Sequence, residues 1–184
     1  HSLLNPTLTV ADLEAGCRLA VEYDVASVCI MPYFLPRCTA LLRGSSVKPS
    51  TTIGFPHGGH ATSVKVAEAL QALADGAEEL DMVVNISKVL SGAFAYVQAD
   101  IDAVLRATRD AGQRLKVIFE NCYLNDVQKI QLCEICGELR ADWVKTSTGY
   151  GFVKGPDGKY SYKGATEHDL RLMRAACPPK VQVK

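Results

Sequence analysis

The segment Ala141-Asp142-Trp143-Val144-Lys145-Thr146-Ser147-Thr148-Gly149 runs through apolar residues onto a lysine and opens at once into hydroxyls and a glycine. A lysine at a strand end is ordinarily solvated. Carried on the C-terminal end of a short buried strand, however, an ammonium is costly to desolvate and tends to lose its proton. A neutral lysine amine attacks carbonyl carbon. Two further ionisable residues bear on this one: Lys184 ends the alternation Val181-Gln182-Val183, and Asp81 sits inside Glu79-Leu80-Asp81-Met82-Val83-Val84. If Lys145 and Lys184 point into one partly desolvated site, their repulsion frees one amine near neutral pH. Asp81 can then compensate charge and move protons, directly or through water. Such a triad fits Schiff-base chemistry; the competing reading has both lysines salt-bridged to acids at a rim.

Other chemistry-bearing residues fit less well. Cys133-Glu134-Ile135-Cys136 has a spacing that serves redox or zinc sites, but it has no second cysteine pair and lies in a helical pattern, so it reads as structural. His57 and His60, three apart in a Gly-rich loop, have no evident third ligand, and no metal is expected there. Seven cysteines, an odd number scattered along the chain, read as reduced thiols rather than a secreted disulfide framework. The 20 basic and 20 acidic residues are interspersed, which speaks against nucleic acid or a polybasic membrane contact and for a small molecule or a protein partner. No apolar run reaches membrane-spanning length, and no basic-then-apolar start appears, so a cytoplasmic location is expected.

These residues need elements to hold them. Thr9 with Asp12 predicts a helix N-terminus, and Ser27 to Met31 is a short buried strand stopped by Pro32. A brief helix from Pro36 to Leu42, a strand Thr51 to Phe55 and a helix Ser63 to Ala74 follow. Next come the Asp81 strand, a helix from Tyr96 to Ala111, the strand Leu115 to Glu120 and a helix capped by Asn125 that runs to about Leu139. The Lys145 strand, a helix from Thr166 to Ala176 and the strand Val181 to Lys184 complete the series. Apolar strands alternating with amphipathic helices require a parallel sheet, so the class is α/β, with one domain over residues 1–184. Asp81, Lys116, Glu120, Lys145 and Lys184 lie on four strands, Lys116 and Glu120 sharing one. They converge if the sheet closes into a barrel, and no Gly-x-Gly-x-x-Gly follows the first strand to favour a dinucleotide-binding sheet. The start at His1 rather than methionine and the end at Lys184 read as a truncated chain.

The motif Trp143-Val144-Lys145-Thr146-Ser147-Thr148-Gly149 resembles the lysine motif of the deoxyribose-phosphate aldolases. Further likenesses follow in order: His1-Ser2-Leu3-Leu4 to that family's first strand, Gly54-Phe55-Pro56-His57-Gly58 to its third-strand loop, Glu79 to Val84 to its fourth strand and Leu115 to Glu120 to its fifth. The resemblance implies a (β/α)8 TIM barrel whose eighth strand and final helix are missing from the sequence. It also implies a class I aldolase that cleaves 2-deoxy-D-ribose 5-phosphate without metal or other cofactor. Lys145 would form the imine, Asp81 would relay protons and Lys184 would tune the nucleophile. Thr148, Gly149 and Lys116 would contact the sugar phosphate, Lys116 mainly as a charge partner. Cys29 would lie near the mouth as a buried structural thiol, and a homodimer is compatible with the family. Tyr150 stands where the family often has a lysine, and no Gly-Gly loop follows Lys184, so this polypeptide is expected to be weakly active or inactive. The alternatives are another lysine-dependent sugar-phosphate aldolase, or a non-catalytic barrel fragment that serves binding or oligomerisation.

Overall fold

Local capping signals set the helix starts. Thr9 and Asp12 form a reciprocal capping box at α1 (Val10–Glu22), following β1 (Ser2–Leu3). Next come β2 (Ser27–Ile30), a 3₁₀ turn at Pro32–Phe34, α2 (Leu35–Leu42), β3 (Lys48–Ile53) and α3 (Thr62–Ala74). Then follow β4 (Glu79–Val83), α4 (Ile86–Leu90), α5 (Phe94–Asp110), β5 (Arg114–Ile118) and a second 3₁₀ turn at Asn121–Tyr123. Asn125 and Gln128 make another capping box at α6 (Asp126–Leu139), which leads to β6 (Trp143–Lys145), the strands β7 (Val153–Lys154) and β8 (Tyr160–Ser161), α7 (Glu167–Ala176) and β9 (Gln182–Val183). The computed structural model describes all 184 residues.

Seven strands form one sheet in the order β1-β2-β3-β4-β5-β6-β9, each pair parallel, while β7 and β8 form a separate antiparallel hairpin. The strands follow the chain without the reversal that marks a doubly wound sheet. The sheet also curls. His1, beside β1, has its amino group lowered first by burial and next by the charge of Lys184 beyond β9, although five strands lie between β1 and β9 in the sheet. No helix is long and apolar enough to cross a membrane.

The strands are not apolar on both faces. Leu80 and Met82 of β4, Leu115 and Val117 of β5 and Val144 of β6 are fully buried members of the main hydrophobic core, together with Leu13, Ile101, Val104, Leu105 and Leu132 from the helices. Each such side chain contributes roughly 1.5–3 kcal/mol by leaving water. The alternate positions, Asp81, Lys116 and Lys145, meet one another on the concave face. Period-two alternation therefore separates a structural outer layer from a polar inner one.

Some boundaries differ from the sequence expectation. The strand expected at Thr51 to Phe55 runs instead over Lys48–Ile53, because Gly54 turns the chain at φ +65°. Beyond it, Gly58 also has positive φ, and a Cβ there would stand 1.8 Å from the Val84 carbonyl oxygen, so the loop after β3 can lie against the end of β4 only with glycine. The short α4 and the β7–β8 hairpin were not read from periodicity, since neither is long enough to carry one.

Candidate active site

The register of three strands builds the site. Asp81 on β4 pairs with Lys116 on β5, Lys116 with Trp143 on β6, and Ile118 with Lys145. Lys116 Nζ donates to Asp81 Oδ1 at 3.1 Å and, more closely, to Glu79; Lys145 Nζ donates to Asp81 Oδ2 at 2.9 Å. Ser50 of β3 adds a long contact to Asp81 at 3.5 Å, and the Trp143 ring lies 5.0 Å from Lys116 Nζ. The side chain of Asp81 is 3 % exposed, that of Lys116 3 % and that of Lys145 20 %, so of the three only Lys145 presents its amine to the mouth.

The electrostatics follow from this packing. Burial favours the neutral form of Asp81, but the charges of Lys145 and then Lys116 outweigh it and hold the carboxyl below the usual carboxylate range. Burial likewise disfavours charge on Lys116, yet Asp81 and Glu79 together hold it above the ordinary lysine value. The Cys29 thiol, on β2 among these groups, is pushed up to about 12 by burial first and the Asp81 charge second, which leaves it protonated and inert at neutral pH.

Lys184 is placed by the backbone. Its N–H donates to the Val144 carbonyl and its own carbonyl accepts from Thr146 N–H, each at 2.9 Å, which sets it directly beside Lys145 at a strand spacing of about 4.8 Å. Its side chain is exposed. The two sequence readings of Lys145 thus merge: it is salt-bridged, and its acid partner is the Asp81 of the expected triad rather than an acid at the rim.

Thr148 and Lys116, the other side chains expected near the sugar phosphate, are both buried in the wall of the site, with Lys116 beside Asp81 as a charge partner. The Thr148 hydroxyl donates to Glu120 in a close contact, and its N–H approaches both carboxylate oxygens at 3.3 and 3.2 Å. Both Thr148 and Lys116 are buried, the Thr148 hydroxyl engaged with Glu120 and Lys116 Nζ shared between Glu79 and Asp81. Glu120 carries the β5 end through φ +58° and braces the loop that holds Gly149 at φ +93°. A Cβ on Gly151 would stand 2.8 Å from the Glu120 carboxyl, so this loop too packs closely. Phe55 from the β3 loop meets Tyr150 edge to face at 5.5 Å, spanning the ends of β4 and β5.

Three groups were not reached from sequence. Glu79 was read only as part of a strand, although an acid two residues before Asp81 necessarily shares its face. The glutamate of the Glu120–Thr148 brace was noted only as an ionisable strand residue. A buried ion pair, Lys65 Nζ to Asp100 Oδ2 at 2.6 Å, lies between α3 and α5 and gave no local signal. His57 and His60 are both exposed. Metal-ligand types gather instead at Asp126, His168 and Asp169, where Lys129 already places its ammonium 3.2 Å from Asp126 and 2.7 Å from Asp169.

Comparison with known proteins adds to this geometry. A family model described as DeoC/LacD family aldolase matches residues 2–178. The chain is 62 % identical over 184 residues to the deoxyribose-phosphate aldolase of Rhodopirellula baltica, covering all of this chain and 72 % of that one. Among solved structures, a proposed deoxyribose-phosphate aldolase from Coccidioides immitis superposes with a TM-score of 0.89 at 35 % identity, over 100 % of this chain and 69 % of that one. The tetrameric deoxyribose phosphate aldolase of Aeropyrum pernix gives 0.76 at 26 % identity, over 98 % and 82 % of the respective chains.

Proposed function

The chain belongs to the DeoC/LacD family of aldolases, and from that membership we propose that it cleaves 2-deoxy-D-ribose 5-phosphate to D-glyceraldehyde 3-phosphate and acetaldehyde through a Schiff base on Lys145. The observation that carries this reading is the contact of Lys145 Nζ with Asp81 Oδ2 at 2.9 Å, on a side chain that keeps partial exposure at the strand ends. Lys145 must lose a proton before it attacks, and Asp81 is within reach to take it. Lys184, paired beside it through the backbone at the end of β9, is the residue we assign to tuning this amine.

The neutral amine adds to C1 of the open-chain sugar, and loss of water gives the iminium. Removal of the C3 hydroxyl proton then drives cleavage of the C2–C3 bond, whose electron pair passes into the iminium as an enamine. Glyceraldehyde 3-phosphate departs with the new carbonyl at the former C3. Protonation of the enamine carbon and hydrolysis release acetaldehyde and restore the lysine. Asp81, the acid nearest the imine nitrogen, is the group we assign to proton movement in these steps, with Lys184 tuning the charge.

Several finer readings rest on the same membership. The seven sequential strands are read as the wall of a (β/α)8 barrel forming a single domain over residues 1–184; the unreversed strand order and the curl support this. We also read the protein as cytoplasmic and as self-associating, as a homodimer or a larger assembly; one similar aldolase is tetrameric.

Borohydride reduction in the presence of acetaldehyde, followed by peptide mass mapping, tests the assignment. An ethyl group on Lys145 is expected. Retro-aldol turnover without any adduct at Lys145 would overturn the proposed nucleophile, and preferential trapping with dihydroxyacetone phosphate would point to a different sugar-phosphate aldolase.

A further inference from the structure

We propose that Glu79 is a positioning residue for the Lys145 site: it holds Lys116 against Asp81 and thereby sets how much of the Asp81 charge is left for Lys145. This rests on the assignment of Lys145 and Asp81 given above.

Glu79, Lys116, Asp81 and Lys145 form one chain of contacts with charges alternating negative, positive, negative, positive. Glu79 and Asp81 are two residues apart on β4, so both face inward, and Lys116 on the adjacent strand reaches both. An ammonium that is 3 % exposed needs matched acceptors, and Glu79 supplies one that is not part of the reacting end. Were Glu79 neutral, Lys116 would have Asp81 as its one charged partner, and Asp81 would be drawn from Lys145 toward Lys116.

The position of Glu79 suits this role. Its side chain, 10 % exposed, borders a cavity of about 220 Å³ lined also by Lys48, Glu78, Gly112, Gln113 and Arg114, at the end of the sheet opposite Lys145. Glu79 thus anchors the chain on one face while Lys145 meets the mouth on the other. The arrangement fixes charge rather than conducting protons, because Lys116 is held above its ordinary value and resists giving one up.

Other groups face this chain from every side. Arg114 is the register partner of Glu79 on β5, while Lys48 at the start of β3 is engaged by Glu78 at 2.7 Å. Asp81 also faces Ser50 of β3 and Cys29 of β2, and the His1 amino group feels Lys184, Asp81 and Glu79. None of these replaces Glu79 as an acceptor for Lys116 Nζ.

The test is the pH profile of retro-aldol cleavage of 2-deoxyribose 5-phosphate by Glu79→Gln, whose shape matches the parent side chain. Asp81 acts as an anion held below the usual carboxylate range, so its protonation shows as a limb at the acid end of the profile. Removing the negative neighbour and freeing Lys116 both hold Asp81 lower, so the acid limb of kcat should move to lower pH. In addition, kcat should fall about tenfold while KM stays within about twofold, since the lost effect lies in proton movement. Glu79→Asp, which keeps the charge on a shorter arm, should restore part of kcat and part of the limb position. If Glu79→Gln does not fold, Glu79→Asp carries the test through a partial shift in the same direction. An unmoved limb with unchanged kcat, in an enzyme whose wild-type form is trapped at Lys145, overturns the proposal. A wild-type protein that is neither trapped nor active overturns the functional reading itself.

Discussion

Lys145 and Asp81 touch across an intervening strand. One is on β6 and the other on β4, with β5 between them, yet their charged atoms are 2.9 Å apart. A flat sheet would hold two such strands nearly 10 Å apart. Curl and the inward direction of both side chains close that gap, and Lys116 on the middle strand fixes the Asp81 oxygen that Lys145 does not use.

Asp81→Asn keeps the shape but removes the anion. Lys145 loses its acceptor for a proton and Lys116 loses one of its two carboxylates. The variant is expected to show kcat at least about 100-fold lower. It should still react slowly with acetaldehyde and borohydride at Lys145. Wild-type turnover in this variant would rule out proton transfer by Asp81.

The same carboxylate gives stability a defined pH dependence. The folded value of Asp81 is depressed below that of an unfolded aspartate, about 3.9. Its contribution is therefore fully present above the unfolded value and is lost as pH falls through the lower folded value. Urea unfolding of the wild-type and Asp81→Asn proteins, compared from pH 7 downward, should give a constant difference down to about pH 5 that changes only in the acid range. A difference that varies between pH 6 and 7 would contradict this.

Lys65→Met tests the ion pair outside the site. Lys65 and Asp100 are both 0 % exposed, and Lys65 also donates to the Val83 carbonyl at 3.0 Å while Asp100 accepts from the Thr62 hydroxyl at 2.7 Å. Removing the lysine strands a buried carboxylate, and a loss of about 3–5 kcal/mol in urea unfolding is expected. Lys65→Met/Asp100→Leu should recover most of it. A double variant no better than the single one would show that packing around Lys65, rather than charge, is what was lost.

Thr148→Val removes the hydroxyl that binds Glu120 and leaves the Thr148 N–H and the more distant Cys122 thiol to hold that carboxylate. The loop after β6 should loosen, at a cost of about 1–3 kcal/mol for the buried acceptor. Steady-state kinetics should show KM rising several-fold with a smaller change in kcat, because the loop lies beside Lys145 but donates no atom to the reaction. A fall in kcat alone would instead make Thr148 part of the chemistry.

The sequence by itself determined the alternation of strands and helices, the caps at Thr9 and Asn125, and the candidacy of Lys145 and Asp81. Each of these is written in residues close together in the chain, where periodicity and capping chemistry act. Only the tertiary structure decided which charges meet. Glu79, Lys116, Asp81 and Lys145 join through strand register, Lys65 finds Asp100 35 residues away, and Thr148 is taken up by Glu120 rather than left free for a ligand. The physical reason is that an ionic contact depends on which face a side chain occupies and which strand lies beside it, and the curl of the sheet fixes both only once all the strands are in place.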